Sequence, residues 1–268
     1  MNHQTEPPEL LLRHHLKALR LPVFLAEYRK TATQCADDKA DYATFLLRLA
    51  ELELLERERK GTERRIRAAR FPAAKSLDDF DFLAVPSLNK KQVLELARCE
   101  WLDQREAIVM LGNPGTGKTH LAIALGTAAC QRGYAVRFFT AAALVNALVE
   151  ARNEKALLRL QAQLAKVPLL VIDELGCVPF SKTGAELLFE IFSQRYEQGS
   201  VLVTSNLPFA EWTGVLASER LTAALLDRLT HHVHILAIEG ESYRLAQSRR
   251  RKQKPAAGDP KDRQEPAP

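Results

Sequence analysis

The sequence predicts an α/β protein: a parallel sheet flanked by helices, preceded by a small all-helical region. Three observations carry that prediction. From about residue 90, short apolar runs rich in β-branched residues alternate with helical patterns. A glycine-rich stretch, GNPGTGKT, falls between one such run and the helix after it. A later run, LLVI, ends in two consecutive acids, Asp173 and Glu174. Alternation of strand and helix requires right-handed crossovers between parallel strands, which leaves both faces of the sheet covered.

Each element has its own signal. Residues 9–70 are helical: Leu12, Leu16 and Leu19 follow the helical period until Pro22 breaks it. Tyr42, Phe45, Leu46 and Leu49 form a second apolar stripe that continues into a charged run. The segment from Phe71 to Phe82, FPAAKSLDDFDF, carries turn signals and is expected to be a linker that docks by its aromatics. Strands are expected at 107–111, 135–139, 168–173, 201–205 and 232–238, with helices at 118–131, 141–165, 182–197 and 218–230. The resulting organisation is a helical domain (1–75), a linker and docking segment (76–100), an α/β domain (101–245) and a basic tail (246–268). The tail is rich in proline and charge and is expected to be disordered.

Composition narrows the class. The 268 residues carry a net charge of +5, with 46% hydrophobic and 26% charged residues. That excludes an intrinsically disordered chain, a collagen-like repeat and a disulfide scaffold. No apolar run is long enough to span a bilayer, and the start, MNHQTEPPEL, lacks the pattern of a secretory signal. Cys35, Cys99, Cys130 and Cys177 are too far apart for a zinc ribbon, so the expectation is reduced thiols in a cytoplasmic protein with no membrane partner.

Gly112, Asn113, Pro114, Gly115, Thr116, Gly117, Lys118 and Thr119 fit G-x-x-x-x-G-K-[ST] in the strand–loop–helix setting that motif needs. Glycines let successive N–H groups turn inward toward phosphate oxygens, and the following helix adds its positive end. Lys118 offers a charge to the β- and γ-phosphates, and the Thr119 hydroxyl can ligate Mg²⁺. His120 follows directly and is grouped with the ATP-binding set.

The second half of the site lies about 55 residues further on. Asp173 is suited to hold Mg²⁺, and Glu174 to polarise the water that attacks the γ-phosphate. The next strand ends in Asn206, which either orients that water or simply starts the loop before Pro208. Arg228, late in its helix, either pairs with an acid such as Asp227 or reaches a γ-phosphate held by a neighbouring subunit. Arg244, after the last strand, is a candidate for a second cationic contact in cis.

Charge distribution suggests a polyanionic partner. From Arg57 to Arg70 there are seven Lys/Arg and two Glu. Arg57, Arg59, Lys60, Arg64, Arg65, Arg67 and Arg70 could meet DNA phosphates, or form a solvated face paired with Glu53, Glu56 and Glu63. Phe180, Ser181 and Lys182 form a second candidate DNA loop, with an ordinary helix start as the alternative. His231, His232 and His234 look like a metal cluster. They are expected to start a strand and point to alternate faces, which argues against one. Trp101 and Trp212 are expected to be packing anchors. There is no G-x-S-x-G nucleophile motif.

The stretches GNPGTGKTHLAIALG, LLVIDELG, RYEQGSVLVTSNLPFAEW, LLDRL and GESYRL together resemble the IstB family, AAA+ ATPases encoded beside the transposase in one class of bacterial insertion sequences. The resemblance spans nearly the whole chain, including the LDDFDF linker, and the family stands beside the DnaC/DnaI helicase loaders. It implies that Gly112–Thr119 is the Walker A loop, that Asp173 and Glu174 are Walker B, and that Asn206 is sensor 1. It likewise implies that Arg228 is an arginine finger acting in trans and that Arg244 is a sensor-2-like residue. Cys177 departs from the pattern, since many relatives carry an aromatic there. The implied activity is ATP hydrolysis with Mg²⁺, in a homo-oligomer assembled on double-stranded DNA that stimulates a cognate transposase. A helicase loader is the alternative. A small-molecule kinase is disfavoured, because the paired acids favour water as acceptor.

Overall fold

The computed structural model describes residues 8–240 together with Ser242 and Tyr243. The expected tail and Arg244 lie outside the described residues. The chain divides into two compact units, Met1–Arg67 and Ala68–Pro268.

The first unit is helical: α1 (Pro8–Ala18), α2 (Pro22–Asp37) and most of α3 (Tyr42–Ala69). Pro22 opens α2, where its missing N–H costs nothing. The Asp41 carboxylate accepts the Thr44 N–H at 2.7 Å and caps α3. Hydrogen bonding to the Thr44 side chain, and then to its N–H, lowers the Asp41 pKa. Glu53 is the buried polar hub of this unit. One carboxylate oxygen accepts the Val23 N–H at the start of α2 (2.9 Å), and the other accepts Arg57 Nε (2.9 Å). Arg57 also donates to the Arg20 carbonyl at 2.7 Å, so a charged residue of the basic run ties α3 to the α1–α2 turn.

The second unit begins with a segment that includes a 3-10 turn (Phe82–Ala84) and two short helices, α4 (Lys90–Leu96) and α5 (Glu100–Asp103). Then come β1 (Ala107–Leu111), α6 (Lys118–Gln131), β2 (Val136–Thr140), α7 (Ala141–Asn153), α8 (Leu157–Ala165), β3 (Leu169–Leu175), α9 (Lys182–Arg195), β4 (Ser200–Ser205), α10 (Trp212–Leu216), α11 (Glu219–Thr230) and β5 (Val233–Ala237). The five strands form one parallel sheet in the order β2-β3-β4-β1-β5. Every residue of β4 is buried, as expected for a central strand covered on both faces. The core runs from Val109, Ile172 and Val203 on the sheet to Leu144, Leu148, Leu188, Ile191 and Leu225 on the helices. Burial of each such side chain contributes roughly 1.5–3 kcal/mol.

One expected helix is two. The pattern over 141–165 breaks after Asn153, where Lys155 takes a left-handed conformation (φ 58°) and Ala156 N–H reaches back to the Ala151 carbonyl at 2.7 Å. Arg195 holds the next junction together. Its side chain is 3% exposed, and its guanidinium donates to the carbonyls of Leu164, Val167, Pro168 and Ser200 at 2.7–3.0 Å. The end of α8 is thereby fixed to the start of β4. Burial lowers the Arg195 pKa. Trp101 and Trp212 are buried anchors, with indole N–H groups donated to the Leu96 and Leu207 carbonyls. None of the four cysteines, all of them among the described residues, is in a disulfide. Among the described residues no helix is long and apolar enough to cross a membrane.

Candidate active site

Strand order builds the site. β4 lies between β1 and β3, so the loop after β1, the acids at the tip of β3 and the polar tip of β4 converge at the carboxyl edge of the sheet. Ligands of open parallel sheets bind at that edge.

The loop from Gly112 to Gly117 leads directly into α6. Two of its glycines are required by shape. Gly112 has φ 151°, and a Cβ there would lie 2.0 Å from the Ile238 carbonyl oxygen. Gly117 has φ 99°, and a Cβ there would press on the Phe80 ring at 2.8 Å. The Lys118 ammonium is held within the loop by the carbonyls of Gly112 and Asn113, both at 2.7 Å. Thr116 donates to the Asn113 carbonyl at 2.9 Å, which tightens the turn.

Asp173 is 2% exposed. Its carboxylate accepts the Thr119 hydroxyl at 3.0 and 3.1 Å and the Thr204 hydroxyl at 2.5 Å. The phosphate loop and the tips of β3 and β4 are thereby joined through one acid. Glu174 points elsewhere because the strand bulges. Register with β4 slips by one residue between Ile172 and Leu175, and Glu174 sits at φ 61°. A bulge redirects the side chain that would otherwise follow the pleat. Asp173 therefore stays buried while Glu174 is exposed to the cleft. The Glu174 N–H is anchored on Thr204 Oγ1 at 3.0 Å.

A cleft of about 700 Å³ opens above these groups. It is lined by Pro114–His120 of the loop and by Glu174, Cys177, Thr204, Asn206 and Tyr243. Asn206 is half-buried, and the Cys177 thiol lies 3.6 Å from its Oδ1. Burial, with Glu174 and Asp173 nearby, raises the Cys177 pKa. Tyr243 N–H donates to the Gly115 carbonyl at 3.0 Å, so the segment after β5 reaches back onto the loop.

The opposite wall of the cleft is one that sequence reasoning does not reach. Pro72–Lys75, Asp79–Asp81, Ala84 and Val85 line it. Phe71 packs edge-on to Phe138 (6.1 Å between centroids), and Phe80 packs edge-on to His120 (5.3 Å). His120 Nε2 lies 2.8 Å from the Ser76 carbonyl oxygen, so His120 joins the loop to this wall. The DFDF aromatics are the available signal, yet they indicate docking and not the surface docked against. Thr204 escapes sequence reasoning too, because a threonine in a strand is ordinary by propensity.

The remaining candidates lie away from the cleft. Arg228 is half-buried late in α11, 3.0 Å from the Ala224 carbonyl, with its guanidinium over the Phe189 ring at 4.9 Å. Its contacts are thus a carbonyl and a ring, and among the described residues no ion pair joins it to Asp227. Phe180 packs against the core and donates its N–H to the Val215 carbonyl, Ser181 caps α9 through the Gly184 N–H at 3.1 Å, and Lys182 is exposed. On α3, Arg59 pairs with Glu56 and Glu63, and Lys60 with Glu56. Arg65 contacts Thr62, while Arg64, Arg67 and Arg70 are exposed. His234 is bonded to Glu106 at 2.7 Å.

The chain is similar to known proteins in sequence and in fold. The family described as IstB-like ATP binding protein matches residues 14–251. The ATP-binding protein of insertion sequence IS5376 from Geobacillus stearothermophilus is 37% identical over 91% of this chain and 97% of its own length. That of IS21 from Pseudomonas aeruginosa is 40% identical over 81% of this chain and 82% of its own. Among solved structures, AMPPCP-bound DnaA from Aquifex aeolicus superposes with a TM-score of 0.55 at 23% identity, covering 69% of this chain and 57% of that one. DnaI superposes with a TM-score of 0.53 at 20% identity, covering 66% of this chain and 93% of its own. These two likenesses are of fold, that of AAA+ P-loop proteins with a five-stranded parallel sheet. On the extent of the family match and the identity to its relatives, the chain belongs to the family of IstB-like ATP-binding proteins found in insertion sequences.

Proposed function

We propose that this protein is an ATPase that assembles on duplex DNA, completes each catalytic site between neighbouring copies, and thereby assists the transposase of its insertion sequence. The observation that carries the reading is the separation of Arg228 from the cleft. The phosphate loop follows the carboxyl end of β1, whereas Arg228 precedes the amino end of β5, its parallel neighbour. Five residues of strand measure about 16 Å, so Arg228 lies at the edge of the sheet opposite the phosphate loop of its own chain. A cation with that placement is suited to a neighbour's γ-phosphate, where it would add about 10³–10⁵ in rate.

The rest of the chemistry follows from the cleft. Incoming phosphates draw Lys118 from the Gly112 and Asn113 carbonyls, to which it is hydrogen-bonded. The donor set fits Mg²⁺: a hydroxyl from Thr119 and a carboxylate from Asp173, both hard oxygens that already meet. When bound there, the ion would neutralise charge on the β- and γ-phosphates. Glu174, turned outward by its bulge, would accept a proton from water, and Asn206, which lines the same cleft, would orient it. DNA contact is assigned to Arg64 and Arg67 of the first unit and Lys182 of the second, because Arg59 and Lys60 are engaged with glutamates of α3 and Arg57 with Glu53 and the Arg20 carbonyl. Such contacts hold phosphates and carry little sequence information. The insertion-sequence setting of the relatives supports the transposase as partner.

The test is ATP turnover per chain against protein concentration, with and without duplex DNA. Turnover per chain should rise with both, and Glu174→Gln should bind ATP yet turn over slowly. Turnover that is independent of concentration and of duplex would contradict the reading.

A further inference from the structure

We propose that Glu197, His231 and His232 form a binding site for a divalent transition cation of the zinc class, at the edge of the sheet opposite the nucleotide cleft. The three residues come from two turns. Glu197 follows α9, whose C-cap is Tyr196, and His231 is the C-cap of α11. The strand β5 begins only at Val233. The alternation expected of His231 and His232 therefore does not apply, and both imidazoles turn the same way. Each residue offers one ligand atom, and these atoms all lie within 4.8 Å of one another. Around a tetrahedral ion bonded at about 2.1 Å, donor atoms stand about 3.4 Å apart, a closure that exposed side chains reach by small torsional changes.

Three further features favour a cation here. The carboxyl ends of α9 and α11 converge on the cluster, and helix carboxyl ends carry partial negative charge. Tyr196 Oη lies 2.9 Å from His231 Nδ1, which leaves Nε2 for a metal and fixes the ring. Glu197 is held at φ 56°, and its carbonyl accepts Arg105 at 2.6 Å, so its backbone is pinned in an uncommon conformation. Two imidazoles and one carboxylate suit zinc, cobalt(II) or nickel(II) better than magnesium or calcium. Three protein donors leave a fourth position open to water or to a group from another molecule.

The experiment uses the full-length protein without a histidine tag and without nucleotide, so its result is independent of the ATPase reading. Cobalt chloride is titrated in and followed by its visible absorption, and zinc chloride is then added to displace it. The wild type should take up cobalt saturably and release it to zinc. The same spectrum should persist in H14A/H15A and vanish in both H231A/H232A and Glu197→Gln. Tyr196→Phe should weaken zinc by about tenfold to a hundredfold. All three cluster residues are exposed, and circular dichroism checks that each variant is folded. No saturable uptake by the wild type would overturn the assignment, as would wild-type uptake by Glu197→Gln or H231A/H232A.

Discussion

Thr204→Val isolates the contribution of one hydroxyl at the centre of the cleft. Thr204 is 1% exposed, and its Oγ1 donates to Asp173 at 2.5 Å while accepting the Glu174 N–H at 3.0 Å. Valine keeps the volume and removes both bonds. A hydrogen bond to a charged group contributes about 1.5–3 kcal/mol, and leaving a buried N–H unpaired costs about 1–3 kcal/mol. The lower half of each range gives a loss of about 3 kcal/mol. Catalysis should suffer too, because Glu174 at its bulge loses its anchor, and displacement of a catalytic group by about 1 Å can cost about 10²-fold. Trp101 and Trp212 both lie in the second unit, so tryptophan fluorescence in a urea titration reports on that unit alone. ATP turnover is measured alongside. Thr204→Ser, which retains the hydroxyl, should recover most of both quantities. If Thr204→Val stays within about 0.5 kcal/mol of wild type and turns over ATP normally, the bridging role is refuted.

Other perturbations probe other parts of the molecule. Arg195→Met should lower the stability of the second unit by about 3–5 kcal/mol, read by the same fluorescence, since four backbone carbonyls lose a charged donor. Maleimide at pH 8 should label Cys177 first in the native protein, and ATP should slow the reaction, as mass spectrometry of peptides would show. Cys99 should remain unlabelled, because burial pushes its pKa up to about 11 and the reactive thiolate forms only as pH rises toward that value. Replacing Arg64 and Arg67 by alanine should weaken duplex binding on all sequences. The slope of log affinity against log salt should fall by about 0.9 for each phosphate that the variant no longer neutralises, measured by fluorescence anisotropy.

Much of the fold is legible in the sequence because the signals are local. Five apolar runs and the glycine pattern place five strands and the phosphate loop, and each strand lies within two residues of its expected position. The acids at 173 and 174 are equally visible, but which of them is buried and which faces the cleft is not. It depends on a bulge set by pairing with β4, a contact between residues distant in sequence. The wall formed by residues 72–85 has no periodicity to reveal it, since it is held by single aromatic contacts and by His120. The basic run illustrates the converse. Its charge is plain, yet Arg57 is tied to Glu53 and the Arg20 carbonyl, and composition cannot distinguish such a structural arginine from a solvated one. The histidines near 231 are misplaced by a boundary. Assigning them to a strand disperses side chains that a turn brings together.

The sharpest test of an active site shared between copies is complementation. Lys118→Ala should lose ATP binding but still present Arg228, whereas Arg228→Ala should bind ATP but present no finger. Each should be inactive alone. In an equal mixture with duplex DNA, about a quarter of head-to-tail interfaces pair an intact phosphate loop with an intact Arg228, and ATP turnover should reappear at roughly that fraction of wild type. A mixture that assembles on duplex yet stays as inactive as its components would contradict the account, as would an Arg228→Ala protein that turns over ATP at the wild-type rate.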